Sequence, residues 1–191
     1  MRLGLKFAAQ IHNLRGASKK QAISALLPPG GDQAARTEAV YETFRAQLAQ
    51  RFNGTAREVP GAAAVFAQLR GAGIKVALNT GFDRDTTRML MRALLWEEKM
   101  VDAIACGDEV AQGRPAPDLI RRCMALTGIA DAGAVANVGD TILDLRAGHA
   151  AGTRLNIGVL SGAHGQAMLA AEPHTHLLAS VADLPALLGV G

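Results

Sequence analysis

The stretch "NVGDTILD", Asn137 to Asp144, decides how the rest of the chain is read. A short apolar run, "AVANVG" (Ala134–Gly139), reads as a buried strand that stops at a glycine. Asp140 stands at its end and Asp144 one helical turn further on, so both carboxylates lie on one face of the helix that follows. Hard oxygen ligands at this spacing suit magnesium, which takes a few carboxylates and keeps several waters. The alternative is structural: Asp140 caps the helix and Asp144 complements its N-terminal dipole.

Outward from that stretch, two patterns divide the chain. From about Ser18 to Phe52 the sequence reads as helical throughout. "SKKQAISALL" opens with Ser18 and Gln21 in capping-box spacing and stops at Pro28-Pro29-Gly30-Gly31. "TEAVYETFRAQLAQRF" then spaces Val40, Phe44, Leu48 and Phe52 at four-residue steps, which predicts an apolar stripe. After Pro60-Gly61 helix and strand alternate. A helix over Ala62–Arg70 is closed by Gly71, and "IKVALN" (Ile74–Asn79) reads as a buried strand. Helix Thr86–Leu95, strand Val101–Cys106 and helix Pro117–Leu126 follow, then the strand Ala134–Gly139, a helix to about Ala151 and the strand Arg154–Leu160. Repeated strand–helix units predict an α/β fold with a parallel sheet covered on both faces. In such a sheet ligands sit beyond the carboxyl ends of the strands. Thr80, Asp108, Arg114 and Asp140 all fall there.

Composition excludes several classes of function. The net charge is +3 over 191 residues, and the basic residues are scattered, so neither nucleic acid nor an anionic membrane is expected as a main partner. No apolar stretch approaches a membrane span, and "MRLGLKFAAQ" makes a poor signal peptide. Cys106 and Cys123 belong to no CxxC and read as buried thiols. A cytoplasmic protein is expected. His174 and His176 in "HTH" read as loop residues, His149 and His164 as surface residues, and Trp96 as a packing residue.

Thr80 ends a strand and is followed by Gly81, so a hydroxyl and backbone N–H groups face one anion, or the threonine merely serves a turn. Arg114 in "GRPAPD" either neutralises a phosphoryl group or is a surface loop residue. Taken in order, strand–Thr80-Gly81, Arg114-Pro115 and strand–Gly139-Asp140-Thr141-x-x-Asp144 resemble the haloacid dehalogenase superfamily. "NTGFDR", "GRPAPDLI" and "VGDTILDL" look like its phosphonatase-like branch, related to phosphonoacetaldehyde hydrolase, which has Thr-Gly-Tyr where this chain has Thr80-Gly81-Phe82.

The resemblance implies a Rossmann-like core over residues 59–191 and a small helical cap over 1–58. It implies that Thr80 and Arg114 hold the phosphoryl group of a small phosphorylated or phosphonate substrate, and that Asp140 and Asp144 organise Mg2+. Gly16, Gly81 and Phe82 would contact the substrate. It also admits a homodimer formed through the cap. In true phosphonatases a cap lysine three residues after a glycine forms a Schiff base, and Gly16 and Lys19 have that spacing in "RGASK". At the start of a helix the dipole favours the uncharged, nucleophilic amine. The cap departs from the branch at Arg15 and Ala22, where methionine and histidine stand in the pattern.

The superfamily's nucleophile is the first aspartate of a DxD motif ending the first core strand. Before Asp83 this chain has Asp32 alone, in "PPGGDQ". "DRDTT" (Asp83–Thr87) matches formally but opens a helix, with Asp85 as its expected N-cap. The expectation is therefore that the front of the pattern, with the central strand between those ending at Asn79 and Gly139, is absent. That would leave two apolar edges unpaired. "MRLGLKF" alternates Leu3, Leu5 and Phe7 and has strand character without a carboxylate. Two alternatives accompany the hydrolase reading: a phosphoglycolate-type phosphatase, and a non-catalytic binding protein of the same fold.

Overall fold

Asp32 turns the chain from one helix into the next, and from there each element has a local cause in the computed structural model, which describes residues 14, 16–52 and 56–190. Helix α1 (Lys19–Leu26) follows the extended Ser18 and ends as Leu27 turns extended ahead of Pro28. The capping box expected from Ser18 and Gln21 does not form, since the Ser18 side chain makes no cap hydrogen bond. Asp32 caps α2 (Gln33–Arg51) by accepting from the Ala35 N–H at 3.0 Å.

The stripe on α2 also differs from expectation. Val40 is exposed, and the buried residues are Thr37 and Tyr41, with Phe44 and Leu48 half-buried beside them. Steps of four, three and four follow the helix period more closely than uniform steps of four, so the stripe centres on Tyr41. "MRLGLKF" lies outside the described residues.

The remaining elements run α3 (Ala62–Gly71), β1 (Ala77–Asn79), α4 (Arg84–Ala93), β2 (Ala103–Ala105), α5 (Asp118–Thr127), β3 (Ala136–Gly139), α6 (Ile142–Ala151), β4 (Leu155–Val159), α7 (Gln166–Ala170), β5 (His176–Leu178) and α8 (Leu184–Leu187). The strands are shorter than their apolar runs. At β1 one reason is visible: the Val76 N–H is taken at 2.9 Å by the Asp102 side chain, not by a strand backbone. His176 opens a strand, and His164 is buried at 1% exposure where a surface residue was expected. The expected packing of Trp96 is present as an edge contact with Phe66, ring centroids 5.2 Å apart.

Every strand pairing is parallel. β1 pairs with β2, Leu78 opposite Ile104, and β3 pairs with β4, which pairs with β5. Helices on both faces complete a Rossmann-like α/β architecture. α3 bridges the two sheets: Phe66 packs with Met91, Val101 and Ile104, while Val65 and Leu69 pack with Ile157 and Leu184. On the other face α5 sets Leu119 and Cys123 against Ala105. Each fully buried aliphatic side chain contributes about 1.5–3 kcal/mol. Among the described residues β1 and β3 are not hydrogen-bonded to one another, and a cavity of about 660 Å³ lies between them, lined by Ala77–Asn79 on one side and Ala136–Asp140 on the other. Among those residues no helix is long and apolar enough to cross a membrane.

Candidate functional site

β1 and β3 both end in polar residues, Thr80 and Asp140, and the segment before α1 touches the chain just past both ends. The Lys19 N–H donates to the Gly81 carbonyl at 3.3 Å. A Cβ on Gly81 would stand 2.5 Å from the Ala17 carbonyl oxygen, and one on Gly16 would stand 2.5 Å from Thr141 Oγ1. Gly113, one residue before Arg114, faces Ser18 and Gln21. At Gly81 glycine is required because backbone passes backbone, and at Gly16 because the Thr141 side chain fills the space of a Cβ and φ is +88°. The structure thus brings together Gly16, Lys19, Gly81, Phe82, Arg114 and Asp144, which the sequence spreads over more than a hundred residues.

Thr80 holds its own turn. Its N–H donates to Ala105 at 3.0 Å, and its Oγ1 accepts from the Phe82 N–H at 3.2 Å. The Phe82 carbonyl then accepts from Gly107 at 2.7 Å. The side chain of Lys19 lies over the Phe82 ring, Nζ 5.3 Å from its centroid. Burial, followed by the charge of Arg114, pushes the Lys19 amine below the ordinary lysine range, with Asp144 opposing. A lysine so placed has more uncharged amine near neutrality than a solvated one.

Arg114 and Asp144 form a buried ion pair, with side-chain exposures of 11% and 7%. Asp144 Oδ1 meets the guanidinium Nη1, and Oδ2 accepts from Thr141 N–H at 2.9 Å and from Thr141 Oγ1 at 2.6 Å. Thr141 Oγ1 in turn accepts from the Asp144 N–H at 3.2 Å, closing a capping box on α6. Among the described residues Arg114 Nε is buried without an acceptor. A buried N–H left unmatched on a charged group favours an anion arriving beside it.

The two metal candidates therefore differ. Asp140 lines the cavity together with Asn79, Ser161 and Gly162, and its Oδ2 accepts from Ala163 N–H at 2.7 Å. A hard carboxylate at a cleft fits magnesium if water and ligand oxygens complete the shell. Both oxygens of Asp144 already have protein partners, which suits orienting the site better than direct ligation. Among the described residues one group, Cys106, Asp108 and Glu109, has ligand atoms within 4.8 Å of one another. Glu109 is paired with Arg84, and burial pushes the Cys106 thiol up, so this group matches a hard divalent cation poorly.

Two residues that matter here escaped the sequence reading. Thr141 carries the spacing of a capping box with Asp144. Tyr41, the one tyrosine in the chain, lies on the α2 stripe at 1% exposure and donates from its hydroxyl to Asp83 Oδ2 at 2.8 Å. Asp83, not Asp85, caps α4, with Oδ1 2.7 Å from the Thr86 N–H. The extended backbone at Asp83 starts the helix two residues earlier than expected, and Asp85 is left exposed in the first turn.

Burial and the hydrogen bond to Asp83 raise the Tyr41 phenol to about 12. A raised folded pKa favours the protonated form, so this stabilisation is complete below about pH 10 and fades as pH rises through about 12. With a single tyrosine present, phenolate absorbance followed against pH is expected to show a late transition in the folded chain and an ordinary one in denaturant.

The haloacid dehalogenase-like hydrolase family matches residues 9–152. A phosphonoacetaldehyde hydrolase from Bordetella avium is 26% identical over 196 residues, covering 90% of this chain and 68% of that protein. The chain spans about two thirds of the length of the curated relatives it matches. The crystal structure of a phosphonoacetaldehyde hydrolase-like protein from Oleispira antarctica superposes with a TM-score of 0.79 at 19% identity, over 95% of this chain and 78% of that one. CbbY from Rhodobacter sphaeroides, solved in complex with phosphate, gives 0.75 at 26% identity, over 95% and 81%. The chain belongs to the haloacid dehalogenase-like hydrolases and is related to their phosphonatase-like branch.

Proposed function

We propose that the site takes the phosphoryl group of a small phosphonate or phosphate ester and that residues 1–58 act as a helical cap over a core of residues 59–191. The observation that carries this reading is Arg114 Nε, buried without an acceptor among the described residues, in the same site as Lys19, whose amine burial holds below the ordinary lysine range. Arg114 receives phosphoryl oxygens, and Asp144 holds the guanidinium in place. Thr80 Oγ1 and the N–H groups of the Gly81 turn sit where an anion at the end of β1 would be met. Asp140 would hold Mg2+, which supplies charge neutralisation at the phosphoryl group when bound.

For an aldehyde-bearing phosphonate, Lys19 adds its amine to the carbonyl carbon and water is lost. A water attacks phosphorus as the carbon–phosphorus bond breaks, the protonated imine takes that bond's electron pair to become an enamine, and phosphate leaves with the loss of the water's proton. Protonation of the enamine at carbon and hydrolysis by a second water then free Lys19 and the aldehyde. The Phe82 face steadies the cationic imine. Borohydride reduction in the presence of phosphonoacetaldehyde is expected to leave a stable adduct on the peptide carrying Lys19, detected by mass and lost in Lys19→Met. An unmodified Lys19 peptide sinks the imine reading and leaves the phosphate-ester reading, for which magnesium-dependent release of phosphate from a generic aryl ester is the measurement.

A second reading, binding without turnover, is favoured by the places of two aspartates. Asp32 caps α2 at the surface, and Asp83 is held by Tyr41 and Thr86, so neither is placed to attack phosphorus. Saturable binding of inorganic phosphate that Arg114→Ala abolishes, with no turnover of either substrate class, would support it.

A further inference from the structure

We propose that Tyr41 is a positioning residue for Lys19: its hydroxyl, tied to Asp83, holds the stack of rings on which the Lys19 side chain rests. The inference rests on the reading that the Lys19 amine serves the site.

The geometry is continuous. The Tyr41 ring stacks on Phe44 at 6.1 Å and 22°, and Phe44 stacks on Phe82 at 6.2 Å and 12°. Lys19 Nζ lies over the far ring of this series. Tyr41 and Phe44 belong to α2, whereas Phe82 lies in the turn after β1, so the stack is the place where the first helices meet the sheet-bearing part. Ring stacking fixes separation but resists sliding weakly. One directional bond sets the register, from Tyr41 to Asp83, and Asp83 is itself fixed by capping α4.

The charged groups around that bond support it. Arg45 on α2 lies 3.9 Å from Asp83 Oδ2, and its other nitrogen faces Asp85 at 3.8 Å. Lys20 of α1 lies over the Tyr41 ring at 5.0 Å and pairs with Glu38 at 2.7 Å. Around Lys19 itself the acting charges are Arg114 and Asp144. Neither Tyr41 nor Asp83 is among them, so the effect of Tyr41 on Lys19 travels through the rings and through Asp83, the chain neighbour of Phe82. Slippage of the stack would let water reach Nζ and restore its charge.

Trace acetylation of the full chain, read by peptide mass spectrometry at about pH 8 and about pH 10, gives for each lysine a ratio of rates that cancels its accessibility. In the native chain the Lys19 ratio should be smaller than that of exposed Lys75. Tyr41→Phe keeps the ring and removes the bond, and should raise the Lys19 ratio about threefold with Lys75 unchanged. Asp83→Asn preserves the helix cap, removes the charged acceptor and should act in the same direction. A Lys19 ratio equal to that of Lys75 in the native chain, or no change in either variant, overturns the inference. Loss of the cooperative melting transition in both variants also overturns it, because Tyr41 would then serve the fold and not Lys19. Absence of a borohydride adduct with these ratios as expected refutes the imine chemistry and leaves the positioning role standing.

Discussion

Asp144→Ala is expected to cost about 3–5 kcal/mol of stability, the usual consequence of leaving one member of a buried ion pair alone. Arg114 cannot shed its charge, and little water reaches it. The same substitution removes the acceptor for Thr141 N–H and Oγ1, so the capping box on α6 loses one of its two arms. Urea denaturation is the measurement. Asp144→Asn retains the shape and an acceptor for Thr141 but leaves Arg114 without its counter-charge, so it should keep most of that loss. Equal losses in the two would show that the charge, and not the cap, carries the whole effect.

Gly81→Ala is expected to reduce adduct formation at Lys19 by about a hundredfold, the scale on which a misplacement of about 1 Å is felt at a reacting centre. The new methyl group meets the Ala17 carbonyl oxygen at 2.5 Å, its carbon at 3.0 Å and the Ser18 nitrogen at 3.2 Å. These are backbone atoms with no rotamer to change, so the segment leading into α1 has to lift as a unit. Lys19 follows directly, and its own N–H is bonded to the Gly81 carbonyl. Overpacking at this seam should cost only about 1–3 kcal/mol. Borohydride trapping at matched fractions folded separates the two effects, and an unchanged adduct yield would mean that the seam does not place Lys19.

The ends of β1 and β3 were legible because each apolar run stops at a small residue followed by a hydroxyl or a carboxylate, a pattern local in the chain. Strand lengths were not, because Ile74 and Val76 are apolar for packing against α3, and apolar packing looks the same in sequence whether or not the backbone enters a ladder. Nor could spacing choose between Asp83 and Asp85 as a helix cap, since both stand ahead of α4. Tyr41, forty-two residues away, makes the choice. His164 was misplaced for the same reason. Its Nδ1 accepts from Ile142 N–H at 3.1 Å, a partner the sequence around it does not announce. For the site, residue types were readable in order along the chain, whereas the pairing of Arg114 with Asp144 depended on a loop and the first turn of α6 converging.

Among the described residues no strand hydrogen bond joins β1 to β3, and side chains connect the two sheets instead. α3 sets Phe66 against one sheet and Leu69 against the other, and α5 lies against α6. Local opening runs in contiguous cooperative units, and a join made by packing alone is where one such unit meets the next. Arg114 and Asp144, which come from opposite units, sit where any such opening would first be felt.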